Sequence, residues 1–444
     1  MTSASFLRRL ALFGAIATCL TLAACGKGSG SGGPSSIRAI NLTDDLASAD
    51  MFLSGTQKLF GGLTPGALSS YASVSSNTYT LNVNSAGNAA ALFTGSYTLS
   101  GGAHYTAVVW GPQASLHVTT LPEDDDTTQI GAGNTRVRMF NATTTTGTLD
   151  VYLTAPGADL TVSTPTQGAL TSGSLSGFRE IPAGTYELRV TGKGNPADVR
   201  LDIPSVTFNS AQYETIVLTA GSGGALVNGT MIVEQGSSTA MANTQARVRV
   251  VASVDNAGLV SANVGGTLVA SSLSSPAVGA YTLVTASSTA GGDPTLRLLV
   301  NGNPTFTGPV PLAAGGDYTL LAWGGTTPQL TTITDDNRLP VSTSQTKIRV
   351  VNGVAGLAPV TMLVDYGVVS GSQNIAAGQA APYTNVASNA AGSVIEVDSA
   401  SQTTPVYLTS RTNGDPLLGQ GVYTLFVLSG KSTPLGTLRN ERPQ

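Results

Sequence analysis

Two histidines, two cysteines and two short acidic runs are the residues of this 444-residue chain best suited to chemistry. His104 and His117 stand close together, Cys19 and Cys25 lie near the start, and the acids are Glu123-Asp124-Asp125-Asp126 and Asp335-Asp336. A catalytic triad, a Cys/His nucleophile pair or a zinc site needs several such side chains converging from different segments. Here one segment holds both histidines, which read as surface strand or turn residues. No GxSxG, HExxH, Walker or EF-hand pattern occurs. A carboxylate pair for glycoside hydrolysis stays open on spacing alone. The expectation is a protein that is not an enzyme and carries no cofactor and no metal. The acidic runs fit either solvated linkers or calcium ligands at junctions, since calcium takes six to eight oxygens. The corresponding stretch Gln235 to Asn243 has no acid, which favours linkers. Trp110 and Trp323 fit packing or a sugar-stacking platform.

The N-terminus carries the most specific signal. Arg8 and Arg9 precede an apolar run from Leu10 to Ala24 that ends in small residues, the organisation of a secretory signal. The run is shorter than the roughly 20 residues a spanning helix needs. Leu22-Ala23-Ala24 followed by Cys25 resembles the bacterial lipobox, in which the Cys is diacylated, becomes residue one and is acylated again. This implies a signal peptide at 1–24, lipidation including palmitate at Cys25, passage through the lipoprotein processing and sorting machinery, and a membrane partner through the acyl chains. Gly26 at the second mature position implies the outer membrane in a Gram-negative host, on either its periplasmic or its outer face. Residues 25–36 have the composition of a flexible tether.

Only 10% of residues are charged and 6% aromatic, with 53 Gly and 22 Pro, so long amphipathic helices are disfavoured. Lys and Arg total 21 against 25 Asp and Glu, which excludes a basic face for nucleic acid. A segment of Arg, two apolar residues and Asn or a small residue recurs at Arg38, Arg138, Arg249 and Arg349, spaced by 100, 111 and 100 residues. A tyrosine after a turn recurs late in each stretch, at Tyr105, Tyr213, Tyr318 and Tyr423. Two landmarks repeated in one order predict four tandem units, at residues 37–122, 135–234, 246–334 and 347–440. Units one and three share Trp-Gly. Apolar and polar residues alternate with period two, as at Leu149, Val151 and Leu153, which predicts strands with one face in a core and one in water. Arg38 with Asp50, and Arg138 with Asp150, are each 12 residues apart and are expected to pair across adjacent antiparallel strands.

The opening Ile348 to Gly353, the Ala183 to Tyr186 strand segment, the late tyrosine segment and Asp335 to Asn337 resemble the bacterial domain-of-unknown-function 4397 family. That resemblance implies secreted or surface-anchored, immunoglobulin-like antiparallel β-sandwiches, and no activity. The four tyrosines resemble tyrosine corners, whose hydroxyls bond nearby backbone. The functional expectation is a non-catalytic envelope lipoprotein whose repeats act as spacer or interaction module. The alternatives are a binding protein or adhesin for polysaccharide or an envelope protein and, more remotely, an envelope enzyme.

Overall fold

The computed structural model describes residues 33–409, 414–429 and 433–442. The signal segment and Cys25 lie outside the described residues. Among those described there is no α-helix, only three short 3-10 turns, and no helix long and apolar enough to cross a membrane.

Each of the four sequence units supplies two sheets closing on one core. In the first, Ala72–Val74, Ser35–Thr43, His104–Gly111 and His117–Pro122 form one sheet in that order, and Gln57–Leu63, Ala49–Leu53, Asn77–Ser85 and Ala91–Leu99 the other. Ile37 and Ala39 from one sheet meet Met51, Leu81 and Val83 from the other, all fully buried. The period-two pattern produces this, because alternate side chains of a strand share a face.

The antiparallel expectation needs one correction, repeated four times. The opening strands Ser35–Thr43, Asn134–Asn141, Gln245–Val254 and Gln345–Asn352 run parallel to the late strands His104–Gly111, Tyr213–Ala220, Asp317–Gly324 and Val422–Leu428. Arg38 lies opposite Thr106, Arg138 opposite Thr215, Arg249 opposite Thr319 and Arg349 opposite Thr424. Parallel neighbours need a long crossover, and here the crossover is the whole opposite sheet.

The expected Arg38–Asp50 and Arg138–Asp150 pairs are overturned, because the members of each pair sit in opposite sheets. The position 12 residues after each arginine has another task. Asp50 accepts the Gly62 N–H at 2.8 Å, Asp150 the Ala169 N–H at 2.7 Å, Ser261 the Ser272 N–H at 2.9 Å and Thr361 the Asn374 N–H at 3.3 Å. All four donors are left-handed, with φ of 67°, 53°, 48° and 55°. Strand register slips beside three of these bonds. The polar side chain therefore holds a bulge that turns the neighbouring strand.

Asn41, Asn141 and Asn352, three residues after their arginines, tie the sheets together. Each side-chain amide donates to a carbonyl on the far side, Leu63, Leu170 and Ile375 respectively, at 2.9 to 3.1 Å.

Candidate functional site

The opening strands are buried on both faces, unlike the one-face-in-water expectation. Ile37 and Ala39 serve their own core, whereas Ile40 and Leu42, with Val108, Trp110 and Leu121, meet Phe140, Ala142, Val217 and Ile232 of the second unit. Val251, Leu321 and Ile333 meet Val351, Phe426 and Leu428 in the same way. The first unit is stacked on the second and the third on the fourth through the sheets that carry the arginines.

At each stack the arginines are enclosed. Arg38, Arg138, Arg249 and Arg349 are each 2% exposed, which makes their partners decisive for folding. Every one donates from Nε to the threonine opposite it, Thr106, Thr215, Thr319 or Thr424, at 2.8 to 3.3 Å. Every guanidinium also lies over an aromatic ring of its own unit: Tyr71 at 4.9 Å, Phe178 at 4.3 Å, Tyr281 at 4.5 Å and Tyr383 at 4.2 Å. A planar cation with five donors suits such a slot, and a lysine ammonium would not.

The remaining donors cross the unit boundary. Arg38 Nη2 donates to the Val233 carbonyl at 2.9 Å, and Arg138 Nη2 to the Pro122 carbonyl at 2.7 Å. Glu123 takes Arg38 at 3.0 Å and also the Gln235 N–H of the second unit. In the second stack the ion pairs themselves cross: Arg249 meets Glu441 of the fourth unit at 2.8 Å, and Arg349 meets Asp335 of the third. Burial alone would raise Asp335, but Arg349 and Arg249, with Thr319 and Tyr281 bonded to it, hold its carboxyl below the ordinary value. In the first stack acids outnumber the arginines nearby. Burial pushes Glu234 up to about 8 despite Arg138 Nη2 at 3.3 Å, and the Glu123 and Asp125 charges add to the rise.

The acidic junctions are thus part of these clusters rather than solvated linkers. Asp124 bonds His104 and Gln235, both at 2.9 Å, and Asp126 pairs with Arg136 at 2.9 Å. No group of three or more His, Cys, Asp or Glu arranged for a metal occurs among the described residues. Ser238–Met241, read from sequence as linker, is a fifth strand on the second unit's sheet.

The two tryptophans reach across the stacks. Trp110 is 5% exposed, stands edge-on to Phe140 at 5.7 Å and is stacked on His117 at 4.4 Å. Burial lowers the His117 pKa. The indole N–H groups of Trp110 and Trp323 each donate to a threonine at 3.0 Å, Thr119 and Thr331. Their rings cover left-handed glycines of the next unit, Gly173 and Gly378. Units one and three share Trp-Gly because each supplies the same half of a stack.

The tyrosine positions divide three to one. Tyr105, Tyr318 and Tyr423 each directly precede the arginine-binding threonine, and their hydroxyls accept the N–H of Ser100 (3.1 Å), Ala313 (2.8 Å) and Leu418 (3.2 Å), five residues upstream. Tyr213 is one place out of register, and its hydroxyl donates to the Thr128 carbonyl. Glu214 occupies the equivalent position. Burial pushes it up to about 7, against the Thr135 hydroxyl 3.0 Å away and the Asn209 amide, five residues upstream.

Comparisons with known proteins cover part of this picture. No curated protein matches the chain in sequence. Three solved structures share weak similarity: one described as alpha-glucan binding by a streptococcal virulence factor (10% identity, TM-score 0.15, 41% of this chain and 92% of that one), a product complex of the multi-modular glycogen-degrading pneumococcal virulence factor SpuA (9%, 0.16, 84% and 37%), and ligand-free PulA from Klebsiella pneumoniae (11%, 0.15, 65% and 32%). The chain spans about a third of the length of the last two. Scores of this size carry no argument about function. Residues 35–152, which hold the first unit with its buried Arg38 and the first two strands of the second, match the family model of the Domain of unknown function (DUF4397).

Proposed function

We propose that the protein is a non-catalytic cell-envelope lipoprotein, anchored in the outer membrane through Cys25. Its four copies of one immunoglobulin-like sandwich are locked into two rigid pairs. On this reading it acts as an interaction module with fixed geometry rather than as an extensible spacer. The enclosure of all four repeat arginines between stacked sheets carries the reading. A spacer gains from units that behave independently, whereas these units share apolar cores and ion pairs. The sheets facing away from the stacks are the surfaces left for partners. The lipobox residues Leu22 to Cys25 support the anchor. Junction carboxylates committed to arginines and backbone amides support the absence of catalysis.

The test is small-angle scattering on the mature chain and on a form lacking residues 135–244. Compact particles, with loss of the first unit's fold once Ile40, Val108 and Trp110 are uncovered, are expected. A deletion that only shortens an elongated particle would restore the spacer. The anchor is read separately. Labelled palmitate should enter the wild type, and Cys25→Ser should block processing and release the protein from membranes.

A further inference from the structure

Each outer sheet ends in a strand with one side open, and in three units that edge is blunted. The second unit's Asn195–Phe208 carries Pro196 and Pro204 with Asp198, Arg200 and Asp202. The third unit's Asn303–Pro309 carries Pro304 and Pro309, and the fourth unit's Tyr407–Leu408 is two residues long. Prolines, charges and shortness are the usual protections against pairing with another chain. The first unit's edge, Ala91–Leu99, has nine residues, no proline and no charge, and Asn77–Ser85 behind it is uncharged as well. Thr267–Ser274, on the other border of the third unit's outer sheet, is also uncharged, but its register slips twice and Ser272 is left-handed.

The open side follows from alternation. The Ser54 N–H bonds the Thr80 carbonyl at 2.7 Å, so Thr80 is turned away from Ala91–Leu99, while its neighbour Leu81 is turned towards it, opposite Gly95. Thr94, Ser96 and Thr98 therefore aim their N–H and C=O groups outwards. All three are exposed, and no second segment among the described residues bonds those groups.

The strand is also its own complement. Read outwards from Gly95, each side offers a hydroxyl (Thr94, Ser96) and then an aromatic ring (Phe93, Tyr97), with Ala91 and Leu99 at the ends. Antiparallel pairing of the strand with itself about Gly95 sets hydroxyl against hydroxyl on the outer face and ring against ring on the inner one. Thr78 and Thr98, whose hydroxyls meet at 2.8 Å, already form such a pair with the strand behind. Gly95 suits an axis. Phe93 and Tyr97 close over it, so that a methyl there would lie 2.7 Å from one ring and 3.0 Å from the other. Two such glycines form the narrow kind of pair, about 4.5 Å apart, that makes no hydrogen bond of its own. An uncharged edge also meets its own copy without repulsion.

We propose that two copies of this chain pair edge to edge through Ala91–Leu99, antiparallel, with Gly95 set against Gly95 of the second copy. Thr94 of each exchanges both backbone bonds with Ser96 of the other, and the outer sheets of the two first units become one. A single strand edge buries less than the roughly 1,200 Å² at which stable interfaces begin, so the dimer is a reversible one. It uses an outer sheet and neither stack, and so goes beyond the rigid-pair reading without depending on it.

The experiment follows the chain from Gly26, which has no acyl chain and no cysteine, by sedimentation velocity from about 10 μM to about 1 mM. A monomer–dimer equilibrium is expected. Thr94→Lys with Ser96→Lys opposes like charges across the axis and should weaken it at least tenfold without moving the melting temperature. Thr94→Lys with Ser96→Glu opposes unlike charges and should restore it. Thr94→Cys with Ser96→Cys should cross-link under mild oxidation, and Thr94→Cys alone should not. The proposal is overturned by a monomer throughout the range, by association that survives the double lysine, by a series of species beyond the dimer, or by equal cross-linking through Thr94→Cys alone. Compact monomers at every concentration defeat the dimer and leave the paired stacks standing.

Discussion

Arg138 and Pro122 belong to different units, and the 2.7 Å bond from Arg138 Nη2 to the Pro122 carbonyl joins them. Arg38 returns the contact to the Val233 carbonyl at the end of the equivalent strand. Each of these two arginines therefore ties two strands of its own sheet through a threonine and reaches the neighbouring unit through a carbonyl.

Removing one arginine should destabilise two units together. Arg138→Ala leaves the Thr215 hydroxyl and the Pro122 carbonyl without their partner inside the stack, which costs about 1–3 kcal/mol for each. In urea titrations followed by hydrogen exchange, units one and two should lose stability in step, and units three and four should stay as in the wild type. Loss confined to unit two would show that the stack contributes little.

The two stacks should respond to pH with opposite signs. The folded-state pKa of Glu234 is about 8 against an ordinary 4.5, so the folded first stack retains a proton that the unfolded chain releases. Its contribution to stability is full below 4.5, falls as pH rises towards 8 and is flat above. Asp335 is held below its ordinary 3.8, so its contribution is present above 3.8 and is lost as pH falls through its lower folded value. Glu234→Gln should reduce the falling slope between pH 5 and 8 in the first stack, where Glu214 and Asp44 keep part of it, and leave the second unchanged, as read by unfolding free energy against pH.

The tyrosine hydroxyls should not be equivalent. Tyr318→Phe leaves the Ala313 N–H without its partner and should cost about 1 kcal/mol. Tyr213→Phe removes a bond near the surface and should fall within about 0.5 kcal/mol of the wild type. Matching melting curves for the two variants would remove the distinction drawn from their register.

The glycines beneath the tryptophans provide a graded test of the stacks. Gly378→Ala places a methyl inside the Trp323 indole at φ +76°, combining overlap with strain, and should cost about 2–4 kcal/mol. Gly173→Ala at φ +69° leaves its methyl 3.6 Å from Trp110 and should cost only the strain, about 1 kcal/mol. Equal effects in thermal melts would mean that Trp323 moves aside freely.

The strands were legible from the sequence, and what their second faces met was not. Alternation at Leu149, Val151 and Leu153 identifies strands, but parity gives a face and not a sheet, and Asp50 and Asp150 sit in the sheets opposite their arginines. The opening strands did carry a sign of double burial. Val248 to Val254 is apolar almost without interruption around Arg249, as a strand covered on both sides requires. The odd register of Tyr213 is also visible in the sequence. Tyr105, Tyr318 and Tyr423 are followed directly by threonine, whereas Tyr213 is followed by Glu214 and then Thr215, and the threonine is what each arginine binds. The cluster's acids were visible as runs. Their partners lie up to 112 residues away, a relation that local pattern does not encode.

The parallel seam between opening and late strands sets an order in time. Ser35–Thr43 finds its main neighbour only when His104–Gly111 has been made, and Arg38 reaches its last acceptor only with Gly236. A chain delivered from its N-terminus holds an open strand edge until His104–Gly111 has followed, and a guanidinium short of its last acceptor until Gly236, 198 residues on. Contacts this distant slow folding and prolong exposure to aggregation. Acquisition of structure should therefore proceed in two jumps, one as each stack is completed, rather than in four.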